Sequence, residues 1–242
     1  MENNRNYTYD SVIQLDDAQT ASRKYLAKVF TWMFAALVIS AACSYEFATT
    51  NLITLIVSPV TGGFTGFGTI MLFSPLAFSL VMSFGYNRIS YPVLVTLFLA
   101  YAVCIGISLS ILALAYTGGS LLAVFATASV IFGAMAIAGY TTRMDLTGFG
   151  SIMYMLFIGV LVASLINMFI KSSQLDYIMS YVGVAAFTGL TAYYVQMLKR
   201  IGEGIEYGDA SSKKLVIIGA FTLYTTFINL FLSLLRIFGR RR

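Results

Sequence analysis

The last apolar segment of the chain carries a row of polar side chains at helical spacing. Successive members lie three, one, three, four and three residues apart, which places them all on one face of a helix. They are Thr222, Thr225, Thr226, Asn229, Ser233 and Arg236. Because a polar face is costly against lipid, we expect this helix to lie inside a bundle. Two interpretations stay open: polar groups that bond their own preceding turn or a neighbour, or a water-lined path.

The chain lacks the residues that several kinds of chemistry require. The sequence contains no histidine, and no Asp or Lys falls at bilayer depth inside the apolar segments. Zinc sites and Ser or Cys hydrolases usually depend on His, and a retinal-type Schiff base needs a Lys within the membrane. Cys43 and Cys104 lie in separate apolar segments, where we expect them to pack as small hydrophobic residues. We therefore expect no enzyme, no metal site and no cofactor.

The composition predicts an all-α, polytopic membrane protein. Hydrophobic residues make up 59% of the 242 positions and charged residues 10%, and the mean hydropathy is +0.83. Only helices and closed barrels satisfy their backbone in a bilayer, and a helix needs about 20 apolar residues to cross it. Seven segments qualify, and we expect the seventh to be central: Lys28–Tyr45, Phe67–Tyr86, Tyr91–Ala115, Leu121–Tyr140, Phe149–Ile170, Tyr177–Leu198 and Leu215–Phe238. The shorter segment Leu52–Val60 is expected to cover the outer end of the first hairpin.

Few other polar groups lie within or beside the segments. Asn167 in the fifth and Gln196 in the sixth are interior amides, which we expect to bond a neighbouring helix, with a place along a polar path as the alternative. Glu46, Asp145 and Asp176 stand at segment ends, so we expect them at the membrane interface. Asp145 is also expected to be the N-cap of the fifth helix.

The chain ends and the basic residues predict the domain layout and orientation. Residues 1–24 are polar and lack the basic start and cleavage site of a signal peptide, so we expect a mobile tail before one membrane domain over 25–242. The rule that basic residues stay inside predicts a cytoplasmic N-terminus. That side would hold Arg5, Arg23, Lys24, Lys28, Arg88, Arg143, Lys199, Arg200, Lys213 and Lys214, while the opposite loops hold Lys171.

The side of the C-terminus stays open at this point. Arg236, Arg240, Arg241 and Arg242 would lie outside if all seven segments cross, and inside if the last one is re-entrant. The basic residues are spread over loop ends rather than gathered in a patch with exposed aromatics. We therefore expect no nucleic-acid partner.

Three stretches together carry a family resemblance. They are GYTTRMDLTGFG at 139–150, LTAYYVQMLKR at 190–200 and LYTTFINLFLSLLRIFGRRR at 223–242. With the seven apolar segments, they resemble the Bax inhibitor-1 family of membrane proteins over nearly the whole chain after about residue 20. The resemblance implies a fold in which two groups of three helices bracket a central seventh helix.

The resemblance also implies a function and its residues. Members are described as pH-sensitive calcium leaks, in which an acid on the sixth helix and one on the seventh share a proton and an Arg latches the closed pore. In this sequence the two acidic positions hold Tyr194 and Thr226, and Arg88 matches the latch position. A close carboxylate pair cannot ionise fully and so titrates near neutrality, whereas Tyr and Thr do not titrate there.

Two functions follow as expectations. The first is a leak for calcium or other cations with weakly pH-dependent gating, its path lined or gated by Arg88, Tyr194, Thr226, Asn229 and Asn167. The second is a non-conducting regulator that binds a membrane-embedded protease or another membrane partner through the N-terminal tail. For both, the expected location is a bacterial inner membrane, with the lipid bilayer as the surroundings.

Overall fold

The described part of the protein is a bundle of seven long α-helices. A computed structural model describes residues 3–59, 62–86, 88–204 and 210–240, with side chains described from residue 19 onward except at 210 and 211. The helices are α1 Asn3–Thr49, α2 Gly66–Gly85, α3 Tyr91–Ala115, α4 Gly118–Thr141, α5 Thr147–Ile170, α6 Ser173–Glu203 and α7 Ala210–Phe238. A 3₁₀ turn at Asn51–Leu55 follows α1.

The predicted apolar segments are all confirmed as helices. Within the described residues, seven helices are long and apolar enough to cross a membrane. The segment expected to cover the first hairpin forms the 3₁₀ turn, and its neighbour Ile56 is buried against Gly68 at the start of α2. Helix α1 already begins at Asn3, so helix continues through the segment expected to be a tail. The mobility of that segment and the domain boundary stay predictions.

The seventh helix lies at the centre, as the polar row predicted. Helix α7 packs against α1, α3, α4 and α6, whereas α2 packs along α3 and α5 along α6. In the most apolar window of α7, 67% of residues are buried, compared with 6% in α5. Its buried side chains, including Leu223, Tyr224 and Leu230, form the middle of the hydrophobic core. The arrangement follows from chemistry, because a helix with a polar face along its length gains from being shielded from lipid.

The contacts at the helix ends fix the two sides of the bundle. On one side, which we call the N-terminal side, the Ser22 hydroxyl donates to the Lys199 carbonyl at the end of α6 (3.0 Å). On the other, the C-terminal side, the Arg240 carbonyl accepts from the Thr117 N–H (3.2 Å) in the α3–α4 turn. Helix α7 therefore runs from one side of the bundle to the other, which contradicts the re-entrant alternative for the last segment. Among the described residues, Arg240 lies on the side opposite Ser22.

Close helix approach depends on glycine at the crossing of α4 and α6. A Cβ built on Gly139 would lie 2.2 Å from the Ala192 carbonyl oxygen, which is backbone and cannot move aside alone. Gly106 of α3 meets the Ser40 carbonyl of α1 in the same way, at 2.6 Å. Lipid supplies no hydrophobic force between helices, so small residues at crossings are what permit tight packing. In contrast, a Cβ on Gly133 of α4 meets nothing within 4 Å.

We expect Gly139→Ala to destabilise the protein by about 1–3 kcal/mol, because the added methyl forces α4 and α6 apart. The measurement is the thermal unfolding midpoint of the purified protein in detergent. Gly133→Ala is the matched control on the same helix. It should unfold at the wild-type temperature or slightly above it, since alanine favours helix over glycine by up to about 1 kcal/mol. Equal midpoints for the two variants would contradict the packing argument.

Candidate functional site

The candidate site is the seam between α6 and α7. Two contacts fix their antiparallel register: the Leu198 side chain lies against Gly219, and the Ser233 hydroxyl lies against Gly183. Thr226 is seven residues from both Gly219 and Ser233, so it shares their face and points into the seam. Tyr194, one turn before Leu198, lies on the α6 face that meets α7. The register places these two positions about one helical turn apart along the seam.

Tyr194 reaches from this seam toward α5. Its ring is tilted against the Tyr193 ring, with centroids 5.4 Å apart. Both tyrosines line a groove of about 430 Å³ together with Gly150 and Tyr154 of α5. Gly150 is required there, because a Cβ would lie 2.3 Å from the Tyr193 ring. The position that holds an acid in the family pattern is thus occupied by a partly buried aromatic side chain.

On α7, the polar row is bonded within its own helix. The hydroxyls of Thr222, Thr226 and Ser233 donate to the carbonyls of Ile218 (2.9 Å), Thr222 (2.8 Å) and Asn229 (2.8 Å). The Asn229 amide nitrogen donates to the Thr225 carbonyl (2.8 Å). These are the own-turn bonds that the first interpretation of the row predicted. They satisfy the three hydroxyl donors and one of the two N–H donors of Asn229.

The row borders a gap on the α7 surface. Thr225 points to α3, where its hydroxyl lies 3.2 Å from the Tyr101 hydroxyl, and Ser233 points to α6. Thr222 and Asn229 lie between these directions and are half-buried, while Thr226 is 4% exposed. In the part of the chain with described coordinates, α3 and α6 do not pack along each other. The polar face of the central helix is therefore partly open between them.

A hydrogen-bonded cluster next to the seam was not predicted. The Ser40 hydroxyl of α1 lies 2.6 Å from the Tyr224 hydroxyl of α7 and 2.7 Å from the Ala102 carbonyl of α3. The Tyr101 and Tyr224 rings meet edge to face at 5.7 Å. These bonds tie three helices together at the centre of the bundle. The sequence signal was weak, because a lone serine in an apolar segment usually bonds its own helix.

The remaining predicted residues lie away from the seam. Arg88 is exposed in the turn after α2, where its backbone N–H donates to the Gly85 carbonyl (2.9 Å), and no ion pair to it occurs among the described acids. Asn167 lies near the end of α5, and its side-chain oxygen accepts from the Ser172 N–H (2.9 Å). It therefore stabilises the α5–α6 turn rather than lining the seam. Glu46 is exposed at the end of α1.

The α4–α5 turn is held by the end of α6. Gln196 donates to the Met144 carbonyl (2.7 Å) and accepts from the Leu146 N–H (2.9 Å), so this interior amide is structural, as expected. Asp145 pairs with Arg200 at 2.9 Å. The expectation that Asp145 is the N-cap was wrong by one position: the N-cap of α5 is Leu146. Asp145 instead accepts from the Thr147 N–H and hydroxyl, at 3.0 and 2.6 Å.

Comparison with known sequences decides the family. A sequence model of the family described as "Inhibitor of apoptosis-promoting Bax1" matches residues 22–242. The chain belongs to the Bax inhibitor-1 family. Among its relatives, "Inner membrane protein YbhL" of Escherichia coli K12 is 39% identical over 96% of this chain and 97% of the relative. An uncharacterized protein of Rickettsia prowazekii is 41% identical over 91% of each chain.

Membership in the Bax inhibitor-1 family confirms the resemblance seen in the three motifs. It also supports the multi-pass membrane architecture, since a relative aligned over nearly its full length is named as an inner membrane protein. The first two motifs are neighbours in space: Gly139 touches Ala192, Gly150 touches Tyr193, and Gln196 bonds the turn between 144 and 146. No group of three or more His, Cys, Asp or Glu that would suit a metal occurs among the described residues.

The pKa of Asp145 lies far below pH 7. The Thr147 hydroxyl, the Thr147 N–H and the Arg200 guanidinium lower the pKa of Asp145 from 3.8 to about 2. A lowered pKa in the folded state means that this carboxylate contributes its stabilisation at any pH above 3.8 and loses it as the pH falls through about 2. It is therefore fully ionised across the neutral range and cannot act as a sensor there.

We expect Asp145→Asn to lower the thermal unfolding midpoint by an amount that stays constant between about pH 8 and pH 5. The difference from the wild type should close as the pH falls from about 4 toward 2, because the wild-type acid then becomes neutral as well. Glu46→Gln removes an exposed carboxyl without an ion pair among the described residues, and should match the wild type throughout. A difference that changes between about pH 6 and 8 would contradict this assignment.

Proposed function

We propose that this Bax inhibitor-1 family protein is a cation leak whose path follows the α6–α7 seam. The observation that carries the proposal is the polar face of the most buried helix, half-open between α3 and α6 at Thr222 and Asn229. Polar groups inside a membrane are costly and commonly mark transport routes. The two positions at which the resemblance implies an acidic pair, Tyr194 and Thr226, face the same seam.

The proposed leak is only weakly pH-dependent. Steep gating near neutrality requires a carboxylate pair whose members repel each other, and neither Tyr194 nor Thr226 ionises in that range. Among the described acids, Glu46 and Asp145 lie outside the seam, and Asp176 stands at its C-terminal end, where it is paired with Arg236. Arg88, exposed after α2, has no acid in the seam to latch onto.

The proposed location is a bacterial inner membrane with the N-terminal side in the cytoplasm. Its support is the named E. coli relative and the basic residues near that side, among them Arg88, Arg143 and Arg200. The end of α7 then lies on the opposite side, where Arg236 pairs with Asp176 at 3.5 Å. The Asp176 carboxylate offsets the charge of Arg236, which is one of the positive charges that the positive-inside rule disfavours on the non-cytoplasmic side.

We expect purified protein in dye-loaded liposomes to pass cations at rates that differ by less than about twofold between pH 6 and pH 8, because the seam holds no group that titrates there. Tyr194→Asp combined with Thr226→Asp should introduce a steep pH response, since one carboxyl of a close pair is protonated near neutrality.

Tyr45→Asp combined with Thr49→Asp is the matched control. It makes the same two substitutions at exposed positions near the end of α1, and should leave the flux insensitive to pH. Calcium flux in the wild type that switches steeply near pH 7 would overturn the weak pH dependence. An unchanged pH profile in the seam variant would mean that the path lies elsewhere.

The second candidate is a regulator that binds a membrane-embedded protease or another membrane protein. The observation in its favour is the length of α1, 47 residues, which runs as helix from Asn3 past Ser22, where the chain bonds the end of α6. A helix of this length provides a surface for a partner.

Deletion of residues 1–21 tests this candidate, because it leaves the Ser22 bond to Lys199 intact. If the tail is the docking element, the truncated protein should fold normally, as judged by gel filtration in detergent, and lose its partner in a crosslinking pull-down. Retention of every partner by the truncated protein would exclude docking through the tail.

A further inference from the structure

A groove runs along the outer face of the bundle, where α5 packs on α6. Its larger part has a volume of about 430 Å³ and is lined by Gly150, Ser151, Tyr154, Met155, Tyr193 and Tyr194. A smaller part of about 270 Å³ shares Tyr193 with it and reaches Thr147 and Arg200 at the helix ends. We call these two parts together the tyrosine groove. Tyr154 is 50% and Met155 69% exposed, so the groove faces lipid.

The tyrosine groove extends from the N-terminal side of the bundle into the membrane. Helix α5 begins at Thr147 and α6 ends three residues after Arg200, so these two residues mark its mouth. Tyr154 is seven residues from Thr147, and Tyr194 is six residues from Arg200. At 1.5 Å per residue, both tyrosines lie about 9 to 11 Å deeper than the mouth. The headgroup layer on each side of a bilayer is about 5 to 8 Å thick, so the groove spans this layer and the start of the hydrocarbon core.

The tyrosine groove contains three phenol hydroxyls that no described residue hydrogen-bonds. They belong to Tyr154, Tyr193 and Tyr194. A polar group without a partner is costly at this depth, so these hydroxyls need an acceptor from outside the chain. The ester and glycerol oxygens of a phospholipid are acceptors that lie just below its headgroup. Tyrosine is enriched at this level of membranes because its ring is apolar and its hydroxyl is polar.

The mouth of the tyrosine groove carries an excess of positive charge. The α4–α5 turn and the last turn of α6 contain three basic and two acidic side chains, which are Arg143, Lys199, Arg200, Asp145 and Glu203. The Arg200 guanidinium bonds Asp145 (2.9 Å), Gln196 (3.2 Å) and Thr147 (3.4 Å). A guanidinium has five N–H donors, so two remain for a further anion. The Arg200 side chain is 50% exposed, which leaves it open to the headgroup layer.

We propose that the tyrosine groove binds one anionic phospholipid. The phosphate lies at Arg200, the glycerol and ester oxygens accept from the tyrosine hydroxyls, and an acyl chain lies along Met155. Arginine pairs with phosphate through two parallel N–H donors, and basic pockets between membrane helices bind acidic headgroups on the cytoplasmic side. The proposal does not depend on the leak, because the groove opens to lipid on the α5 side of α6.

Asp145 competes with the lipid phosphate for Arg200. Its carboxylate lies 2.9 Å from the guanidinium, where it stabilises the α4–α5 turn and weakens the attraction of Arg200 for a second anion. Asp145→Asn should therefore change two properties in opposite directions. It should lower the thermal midpoint of the lipid-free protein, and it should bind the anionic lipid about threefold more tightly. An acid with a structural role alone would not strengthen lipid binding when it is removed.

The test titrates phosphatidylglycerol into delipidated protein in detergent and follows the rise of the thermal midpoint, with phosphatidylcholine of the same acyl chains in parallel. We expect the apparent affinity for phosphatidylglycerol to be at least about tenfold higher. Arg200→Gln should lower that affinity by about tenfold, because charged hydrogen bonds to the phosphate are lost. Tyr154→Phe should lower it by about two- to fivefold, because one neutral hydrogen bond is lost.

Arg143→Gln and Tyr177→Phe are the matched controls. Arg143 carries the same charge in the neighbouring turn, and Tyr177 is an exposed phenol near the start of α6. Neither residue lines the tyrosine groove. Both variants should bind phosphatidylglycerol as tightly as the wild type does.

Four results would overturn the proposal. Equal losses in Arg200→Gln and Arg143→Gln would mean general attraction by the basic surface rather than a site. Equal affinities for the two lipids, or an equal rise of the midpoint with inorganic phosphate, would exclude an anionic phospholipid as the occupant. Weaker lipid binding by Asp145→Asn would exclude Arg200 as the phosphate ligand. If Arg200→Gln does not fold, Asp145→Asn and Tyr154→Phe decide the outcome.

Discussion

The structure depends on one constraint: inside a bilayer, every hydroxyl, amide and backbone group must be satisfied by the protein itself. Helix α7 carries a row of such groups along one face, and it is the helix that α1, α3, α4 and α6 surround. Own-turn hydrogen bonds satisfy the hydroxyls of Thr222, Thr226 and Ser233 and one N–H of Asn229, while the hydroxyls of Tyr224 and Thr225 bond to α1 and α3. This helix can therefore be buried at low cost, whereas an ionisable group at the same depth would need a specific counter-ion.

Tight packing around α7 relies on small residues rather than on a hydrophobic driving force. Gly183 admits the Ser233 hydroxyl, and Gly219 admits the Leu198 side chain. On another face of α7, Phe227 packs edge to face with Phe125 and Phe132 of α4, at 5.4 and 5.5 Å. Small residues toward α6 and large rings toward α4 thus set two different distances from the central helix. The seam is the side of close approach.

The sequence predicted which faces are polar but not which groups they meet. The length of the apolar segments located the seven helices, and the spacing of the polar residues from Thr222 to Arg236 identified α7 as the central helix. Both patterns could be recognised because each lies within a single segment. The partners of Ser40, Gln196 and Asn167 depend on how separate helices cross, which no local pattern encodes. Asp145 is an intermediate case: its capping chemistry was recognisable, but its ion pair with Arg200 joins residues far apart in the sequence.

The hydrogen bonds divide the bundle into a fixed part and a seam that can move. Ser40, Tyr224, Tyr101 and Thr225 bond across α1, α3 and α7, so separating these helices breaks hydrogen bonds at about 1 kcal/mol each. Between Gly219 and Ser233, all of it described, no hydrogen bond from α7 crosses to α6. A shift of α6 along this stretch changes packing but leaves the row's donors satisfied. Along this stretch neither helix carries a carboxylate, so the contact between α6 and α7 rests on packing, and the ion pair between Asp176 and Arg236 lies at its C-terminal end.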